Sequence, residues 1–216
     1  MVDGQFGRHG MKDDSAKKLV VVDLDGTLLR GNSLHIYIIC GIHALWRRKK
    51  LPKLARLAAV MALRRLRLIS HRQMKWAALK LIPTDDTLLQ VEFRKRADKS
   101  LNTDVKEMLD QYRANGCSIL LATAAADTYV PLIWHGEMLA TRIADNPEHA
   151  ELRGTAKRDA VLRYTASRGM TLQAVITDHS DDLPLLMAGA TENIVVSPDA
   201  ATQMAIGMSD IKVRFL

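Results

Sequence analysis

Two aspartates separated by one residue follow an apolar run near the beginning of the chain. Residues 18–24 are rich in valine and leucine, and the run ends in Asp23-Leu24-Asp25-Gly26-Thr27. Such a run predicts a buried parallel strand, along which alternation points Asp23 and Asp25 to the same side. Two close carboxylates suit a nucleophile beside a general acid/base, or a hard cation such as Mg²⁺. A plain turn is the alternative interpretation, because Asp-Gly is a common turn dipeptide.

Two more candidate residues lie singly at the ends of predicted elements. Thr123 ends the predicted strand 117–123, where its hydroxyl could donate to a phosphoryl oxygen from a rigid support. Strand propensity or helix capping would also explain this threonine. Lys157 lies early in the predicted helix 155–167, where the helix dipole is already positive. Its position favours a bound anion, although lysines are common on protein surfaces.

A cluster of acids follows the predicted strand 172–177. Asp178, Asp181 and Asp182 come directly after this strand, together with His179. Three acids at one strand end repel one another unless a cation lies among them, which favours a metal site. The alternative is a capped helix start, because aspartate is favoured in a first helical turn.

Together, the motif D-x-D-G-T, a strand-end threonine, a lysine and an aspartate with a second aspartate four residues later form a known order. This order resembles the haloacid dehalogenase-like (HAD) superfamily, in particular its phosphoserine phosphatase-like branch. The resemblance covers about residues 18–200 and implies an α/β fold, with a Rossmann-like parallel sheet core and an inserted all-helical cap domain. Thr177 and His179 depart from it, since the family usually has Gly and Ser at these positions.

The resemblance also implies a role for each catalytic residue. Asp23 would attack phosphorus, and Asp25 would protonate the leaving oxygen and later deprotonate the attacking water. Thr123 and Lys157 would bind the phosphoryl oxygens and neutralise their charge. A neutral Asn32 stands where phosphoserine-specific relatives carry an acid, so phosphoserine is not the expected substrate.

A magnesium site follows from the same resemblance. Mg²⁺ would be held by Asp23, the backbone carbonyl of Asp25 and Asp178. Asp182 would assist from behind this set by orienting a metal-bound water or Lys157.

The expected domain organisation has three parts. Residues 1–16 are a polar, glycine-containing leader that we expect to be disordered. Residues 17–31 and 102–216 alternate between predicted strands and helices and form the α/β core. Residues 32–101 have helical periodicity throughout and form the expected cap.

Charge is distributed unevenly along the chain, whose net charge is +7. No Asp or Glu occurs between Gly26 and Thr84, and that stretch contains 13 of the 31 Lys and Arg residues. Three interpretations of this basic cap remain open: a solvated face of amphipathic helices, recognition of a polyanionic substrate, and docking to an anionic membrane through residues 46–50. Nucleic acid is a poor fit, because the segment has few aromatic side chains for stacking.

The predicted function is therefore a Mg²⁺-dependent phosphomonoester hydrolase that acts on a small phosphorylated substrate. A phosphotransferase of the same fold and a non-catalytic anion-binding protein are the alternatives. The sequence contains no apolar run long enough for a spanning helix. Its two cysteines, Cys40 and Cys117, give no disulfide framework, and a reducing cytoplasm is the expected location.

Overall fold

The computed structural model describes residues 17–143 and 147–216, so the predicted leader lies outside the described residues. Within them the strands are β1 (Lys17–Val22), β2 (Ser118–Ala126), β3 (Glu137–Thr141), β4 (Met170–Thr177), β5 (Glu192–Val195) and β6 (Arg214–Phe215). They form one sheet in the order β3-β2-β1-β4-β5-β6, and every pairing is parallel. The predicted α/β, Rossmann-like core is confirmed.

Strand β1 is central because its side chains are apolar on both faces. Val20 and Val22 belong to one hydrophobic cluster, and Leu19 and Val21 to a second cluster on the opposite face of the sheet. A strand that is buried on both faces is expected in a parallel sheet whose helices cover both sides. The chain leaves β1 towards β2 on one side and returns to β4 on the other, so the strand order reverses here.

The helices of the described residues fall into two groups. Between β1 and β2 lie α1 (Ser33–Arg47), α2 (Leu51–Arg65), α3 (His71–Leu81), α4 (Thr87–Lys99) and α5 (Thr103–Ala114). After β3 come α6 (Thr155–Arg168), α7 (Leu183–Leu186) and α8 (Ala200–Gly207). Helices α6, α7 and α8 bury side chains in the second cluster, against the face of the sheet opposite α5.

Helices α1–α4, here called the helical insert, share an apolar cluster with the sheet. An aromatic group joins Tyr37 of α1, Phe93 of α4 and Tyr129, which follows β2, with ring centroids 4.9–5.7 Å apart. The two chain crossings of the insert lie side by side, where Leu29 pairs with Leu101. The expected boundaries of the cap at residues 32 and 101 agree with this crossing and remain a prediction.

Several predicted elements differ from the structure. The sequence pattern predicts a helix over 129–135, whereas the structure has a single 3₁₀ turn at Val130–Leu132. The sequence pattern also predicts a last strand over 211–213, whereas the structure has it at Arg214–Phe215. Among the described residues, no helix is long and apolar enough to cross a membrane. Cys40 and Cys117 are both buried free thiols.

Candidate active site

The reversal of strand order places the first acidic motif between two neighbouring strands. The backbone N–H of Asp23 donates to the carbonyl of Ile176 in β4 over 2.9 Å. Asp23 is therefore still paired with β4, at the carboxyl end of β1. Crevices outside the carboxyl ends of strands at such a reversal are the usual ligand sites of open α/β sheets. The cleft found here has a volume of about 280 Å³, and Asp23, Asp25, Asp178 and Asp182 all line it.

Lys157 lies at the centre of a buried charge cluster. Its Nζ donates to Asp23 Oδ1 and to Asp182 Oδ2, each over 2.7 Å, and its side chain is 4 % exposed. The Thr177 hydroxyl donates to the same Asp182 oxygen over 2.7 Å. Asp182 therefore contacts Lys157 directly, and Lys157 holds the Asp23 carboxylate in one orientation. The structure brings these three predicted site residues together across 134 positions of sequence.

Burial and the neighbouring carboxylates shift the ionisation of Asp23 towards its neutral form, and Lys157 opposes that shift. Burial raises the pKa of Asp23 to about 7, with Asp182 and Asp178 adding repulsion and Lys157 opposing the rise. Burial alone would lower the pKa of Lys157, but the carboxylates of Asp23 and Asp182 outweigh it and hold that pKa above its usual range. A cation bound beside Asp23 would further favour the ionised carboxylate that a nucleophile requires.

Asp25 occupies a different environment, at the start of α1. Its Oδ1 accepts a hydrogen bond of 2.7 Å from the backbone N–H of Ser33. The Ser33 hydroxyl in turn lies 3.4 Å from the Tyr129 hydroxyl, which fixes the first turn of α1 against the core. Burial raises the pKa of Asp25, although the hydrogen bond from Ser33 opposes this shift. A carboxyl group whose pKa is raised suits a residue that must donate a proton near neutral pH.

Asp178 is held against the turn that follows β1. Its Oδ1 accepts a hydrogen bond of 3.1 Å from the Thr27 hydroxyl. A Cβ atom at Gly26 would come within 2.0 Å of Asp178 Oδ2, and Gly26 has φ of +84°. Only glycine satisfies both conditions, because other residues rarely adopt this φ and none lacks a Cβ. The glycine of the first motif thus leaves the space that the aspartate of the last motif occupies.

The donor set fits a divalent cation. Burial raises the pKa of Asp178, as it does that of Asp25. Among the described residues, no cation forms an ion pair with either carboxylate, since Lys157 is shared by Asp23 and Asp182. Nor do three His, Cys, Asp or Glu side chains of the described residues converge as a metal site by themselves. The predicted set does not require three, because it combines two carboxylates with one backbone carbonyl, the hard oxygen donors that Mg²⁺ prefers.

Thr123 lies within β2, 1 % exposed, and lines the cleft. Strand β2 continues to Ala126, but its regular pairing with β3 is interrupted after Thr123. The Thr123 oxygen accepts a hydrogen bond of 3.0 Å from the backbone N–H of Ala125, which leaves the hydroxyl hydrogen available to a ligand. Thr123 therefore lies at the cleft, at an irregularity within the strand and not at its end, and its role as a donor remains a prediction.

Sequence reasoning missed a second group of cleft residues. His71 and Lys75 of α3 line the cleft together with Glu151 and Arg153, which lie on the loop between β3 and α6. Lys75 Nζ donates to Glu151 Oε1 over 3.0 Å and to the Ala124 carbonyl over 2.6 Å. The loop could have been suspected, because it follows a parallel strand at the edge where the site lies. Nothing in the sequence links α3 to it.

Asn32 has a structural role that its sequence position did not reveal. Its side-chain oxygen accepts a hydrogen bond of 3.0 Å from the backbone N–H of His35 and caps the N-terminus of α1. The residue also lines the cleft. Its side-chain oxygen is therefore engaged by the protein, and the residue adds no charge to the cleft that it shares with Asp25.

The basic residues of the insert are mostly remote from the cleft. Of the 13 Lys and Arg residues between Gly26 and Thr84, Lys75 alone among those described lines it. Each cation that does line the cleft is paired with an acid: Lys75 with Glu151, Arg153 with Asp181, and Lys157 with Asp23 and Asp182. The interpretation of the basic segment as a polyanion-binding wall of the site receives no support from this arrangement.

Known structures resemble this fold at low sequence identity. A protein of unknown function from Bordetella pertussis Tohama I is 21% identical, with a TM-score of 0.69 over 92% of this chain and 98% of the other. A phosphoserine phosphatase in its apo form is 13% identical, with a TM-score of 0.58 over 91% and 92%. A phospho-aspartyl intermediate analogue of phosphoserine phosphatase is 15% identical, with a TM-score of 0.57 over 92% of both chains. These likenesses concern the fold.

The comparison with curated proteins finds no match. The family model of the haloacid dehalogenase-like hydrolases, however, matches residues 20–187, most of the chain and every catalytic position predicted from the sequence. This chain belongs to the haloacid dehalogenase-like hydrolases.

Proposed function

We propose that this protein is a Mg²⁺-dependent phosphomonoester hydrolase that forms a phospho-aspartate on Asp23. The observation that carries the proposal is the buried contact of Lys157 with Asp23 and Asp182 at the carboxyl end of β1, with Asp25 in the same cleft. Family membership supports hydrolysis, and the two separate carboxyl environments support a nucleophile and a proton donor.

The first half of the reaction transfers the phosphoryl group to the protein. A carboxylate oxygen of Asp23 attacks phosphorus, and the bond from phosphorus to the substrate oxygen breaks. Asp25 gives its proton to that oxygen, so the product leaves as an alcohol. The Thr123 hydroxyl and the Lys157 ammonium group would stabilise the charge on the phosphoryl oxygens.

The second half releases phosphate and restores the starting state. Asp25, now ionised, takes a proton from a water molecule whose oxygen attacks phosphorus. The bond from phosphorus to Asp23 breaks, and inorganic phosphate leaves. Asp25 ends protonated and Asp23 ends as a carboxylate, which balances the cycle.

Asp23, the backbone carbonyl of Asp25 and Asp178 would hold Mg²⁺. When bound, the ion would neutralise the charge that accumulates on the phosphoryl group and the attacking carboxylate. Asp182 would act through its contact with Lys157, which keeps the ammonium group directed at Asp23.

Helices α1–α4 would form the cap over this site. Support comes from α3, which carries His71 and Lys75 to the cleft opposite the acids of the core. A volume of about 280 Å³ is at the lower limit for small-molecule pockets, so we infer a small phosphorylated substrate. A cytoplasmic location and a peripheral contact of the basic insert with an anionic membrane surface belong to this proposal, whereas nucleic acid does not.

The direct test is phosphate release from p-nitrophenyl phosphate with and without Mg²⁺. We expect Mg²⁺-dependent turnover that falls by roughly 10⁴-fold or more in Asp23→Asn, because the nucleophile is lost. Asp110→Asn is the matched control, because Asp110 is an exposed carboxylate whose ion pairs among the described residues are with its neighbours Lys106 and Arg113 on α5. Equal turnover in wild type and Asp23→Asn would refute the mechanism.

A selective site could refuse this substrate, so a second measurement does not depend on turnover. Mg²⁺ should raise the melting temperature of the wild type and leave that of Asp178→Asn unchanged. Absence of any Mg²⁺ effect on the wild type, together with no turnover, would favour a non-catalytic anion-binding protein. A phosphotransferase would instead release more p-nitrophenol than phosphate when an acceptor alcohol is present.

A further inference from the structure

Helix α2 has an unusual exposed surface. Among its 15 described residues, Leu57 is the one buried side chain. The opposite side of the helix carries exposed residues that are all apolar and recur at helical spacing: Leu51, Ala55, Ala59, Ala62, Leu63 and Leu66. An apolar stripe of this width normally faces a protein core, and here it faces solvent. We call these six residues the docking face.

Unpaired positive charge surrounds the docking face. Arg56 and Arg65 lie on the two sides of the stripe, and Lys49, Lys50 and Arg67 lie beyond its ends. None of the Lys and Arg residues between positions 49 and 67 forms an ion pair with another described residue. Trp46, at the end of α1 next to this region, is 67% exposed. Solvated helices usually balance their charges with nearby acids, and this one does not.

The geometry points to an anionic lipid surface as the occupant of the docking face, and we propose that α2 lies in the membrane interface. An apolar stripe bordered by cations, with an aromatic residue at one end, is the pattern of helices that lie in the plane of a membrane. The leucines would enter the acyl boundary while the flanking cations contact lipid phosphates. The proposal concerns attachment and does not depend on the reaction at Asp23.

Two other occupants fit the charges less well. A second copy of the chain would bring two sets of unpaired cations into one interface, where like charges repel. A nucleic acid would meet an apolar stripe at the centre of the contact, although its phosphates prefer continuous positive charge. A lipid bilayer alone offers apolar and anionic groups at adjacent depths.

Helix α3 lies between α2 and the cleft. Helix α2 packs against α3, and α3 supplies His71 and Lys75 to the cleft. None of the six residues of the docking face lines the cleft. Variants on this face should therefore alter attachment without changing turnover of a soluble substrate.

The test is flotation of the full chain with vesicles of phosphatidylcholine, with and without about one-third phosphatidylglycerol. We expect binding to the anionic vesicles, little binding to the neutral ones, and release in about 1 M NaCl, where charges are screened. The fluorescence of the wild type should shift to the blue on binding, and Trp46→Phe should remove most of that shift. Absence of binding to anionic vesicles at low salt would overturn the proposal.

The charge contribution can be tested without weakening the fold. Lys49 and Arg67 both have positive φ, of 53° and 59°, where glycine is more favourable. The double variant Lys49→Gly/Arg67→Gly should bind anionic vesicles roughly 25-fold more weakly, at about fivefold for each cation. Lys95→Gln/Lys99→Gln removes two exposed cations of α4 and serves as the control. An equal loss in the control would refute a specific face.

The apolar contribution needs its own matched pair. Leu51 and Leu66 are 57% and 67% exposed, and Leu88 and Val91 of α4 are 62% and 60% exposed. Leu51→Ser/Leu66→Ser should weaken binding by roughly tenfold or more, because two inserted leucines are lost, whereas Leu88→Ser/Val91→Ser should not. If sedimentation instead shows a dimer that Leu51→Ser/Leu66→Ser abolishes, the face binds a second copy and the lipid proposal fails.

Discussion

The lysine side chains in the cleft are buried and paired with carboxylates, whereas the lysine and arginine side chains around α2 have no described ion-pair partner. In the cleft, Lys75 and Lys157 are 3% and 4% exposed, and each donates to at least one carboxylate. Around α2, seven Lys and Arg residues between positions 49 and 67 are without a described ion-pair partner. The excess positive charge behind the net charge of +7 therefore lies on the surface of the helical insert. It is no guide to the charge of the site.

The largest expected effect is the loss of stability on replacing Lys157. Lys157→Met would leave Asp23 and Asp182 buried without their cation, so the free energy of unfolding should fall by about 3–5 kcal/mol. The exposed pair of Lys106 and Asp110 provides the comparison, because Lys106→Met should cost less than about 1 kcal/mol. Urea denaturation of both variants measures the two values. Similar losses would mean that burial does not distinguish the two ion pairs.

The next largest expected effect is a pH-dependent loss of stability on replacing Glu151. The His71 ring and the Lys75 ammonium beside it hold the pKa of Glu151 down at about 2, against burial, which opposes the shift. A depressed folded-state pKa stabilises the protein above the unfolded value near 4.5, and this stability is lost as pH falls from 4.5 towards 2. Glu151→Gln should therefore lower the free energy of unfolding by about 3 kcal/mol at pH 7 and by little at pH 2.

Urea denaturation across this pH range tests the prediction, with Glu148→Gln as the matched control. Glu148 is on the same loop and pairs with Arg72 at the surface, where its side chain is 53% exposed. The control should lose less than about 1 kcal/mol at every pH. A difference between wild type and Glu151→Gln that persists unchanged to pH 2 would contradict the assignment.

A smaller effect, this time a gain in stability, is expected on replacing the two cations that flank α2. Lys49→Gly and Arg67→Gly should each raise the free energy of unfolding by about 0.5–1 kcal/mol, because a left-handed backbone strains any residue with a Cβ. Thermal unfolding of the single variants measures this gain. A loss of stability would show that these cations make a contact that the fold needs.

The smallest expected effect is on the cations of α2 itself. Lys53→Gln and Arg56→Gln should each change the free energy of unfolding by less than about 0.5 kcal/mol, because neither side chain has a described ion-pair partner. Denaturation at low salt is the most sensitive measurement. A clear gain in stability would indicate that repulsion within the basic segment strains the insert.

The acidic site residues could be predicted because their types and spacing are unusual. Asp23, Asp25 and Asp178 follow apolar strands, and parallel strands bring such ends together. The resemblance offered Asp182 as one candidate partner of Lys157, but the contact of Lys157 with Asp23 could not be predicted, since the early position of a lysine in a helix indicates an anion without naming it. Lys75 and Glu151 are 76 positions apart and belong to no local pattern, so only the folded chain reveals their contact.

The side of α2 that is buried could not be predicted from the periodicity of its sequence. The spacing of Leu54, Leu57, Ala58, Met61 and Leu68 predicts one inward side, but of these only Leu57 is buried, and Ala58, Met61 and Leu68 are exposed. Apolar residues occur on almost every side of this helix, so no single direction stands out. Which side meets the protein depends on the packing of α1 and α3, which the sequence of α2 does not contain.

The contact of Gly26 with Asp178 bears on when activity can first appear as the chain is synthesised. Its contact with Asp178 joins residues 152 positions apart, and Lys157 reaches Asp23 across 134. No early fragment of the chain can contain the site, because β4 must pair with β1 before these groups meet. Catalysis should therefore arise only when the sheet is complete, and turnover should report the native population directly, without a partly active intermediate.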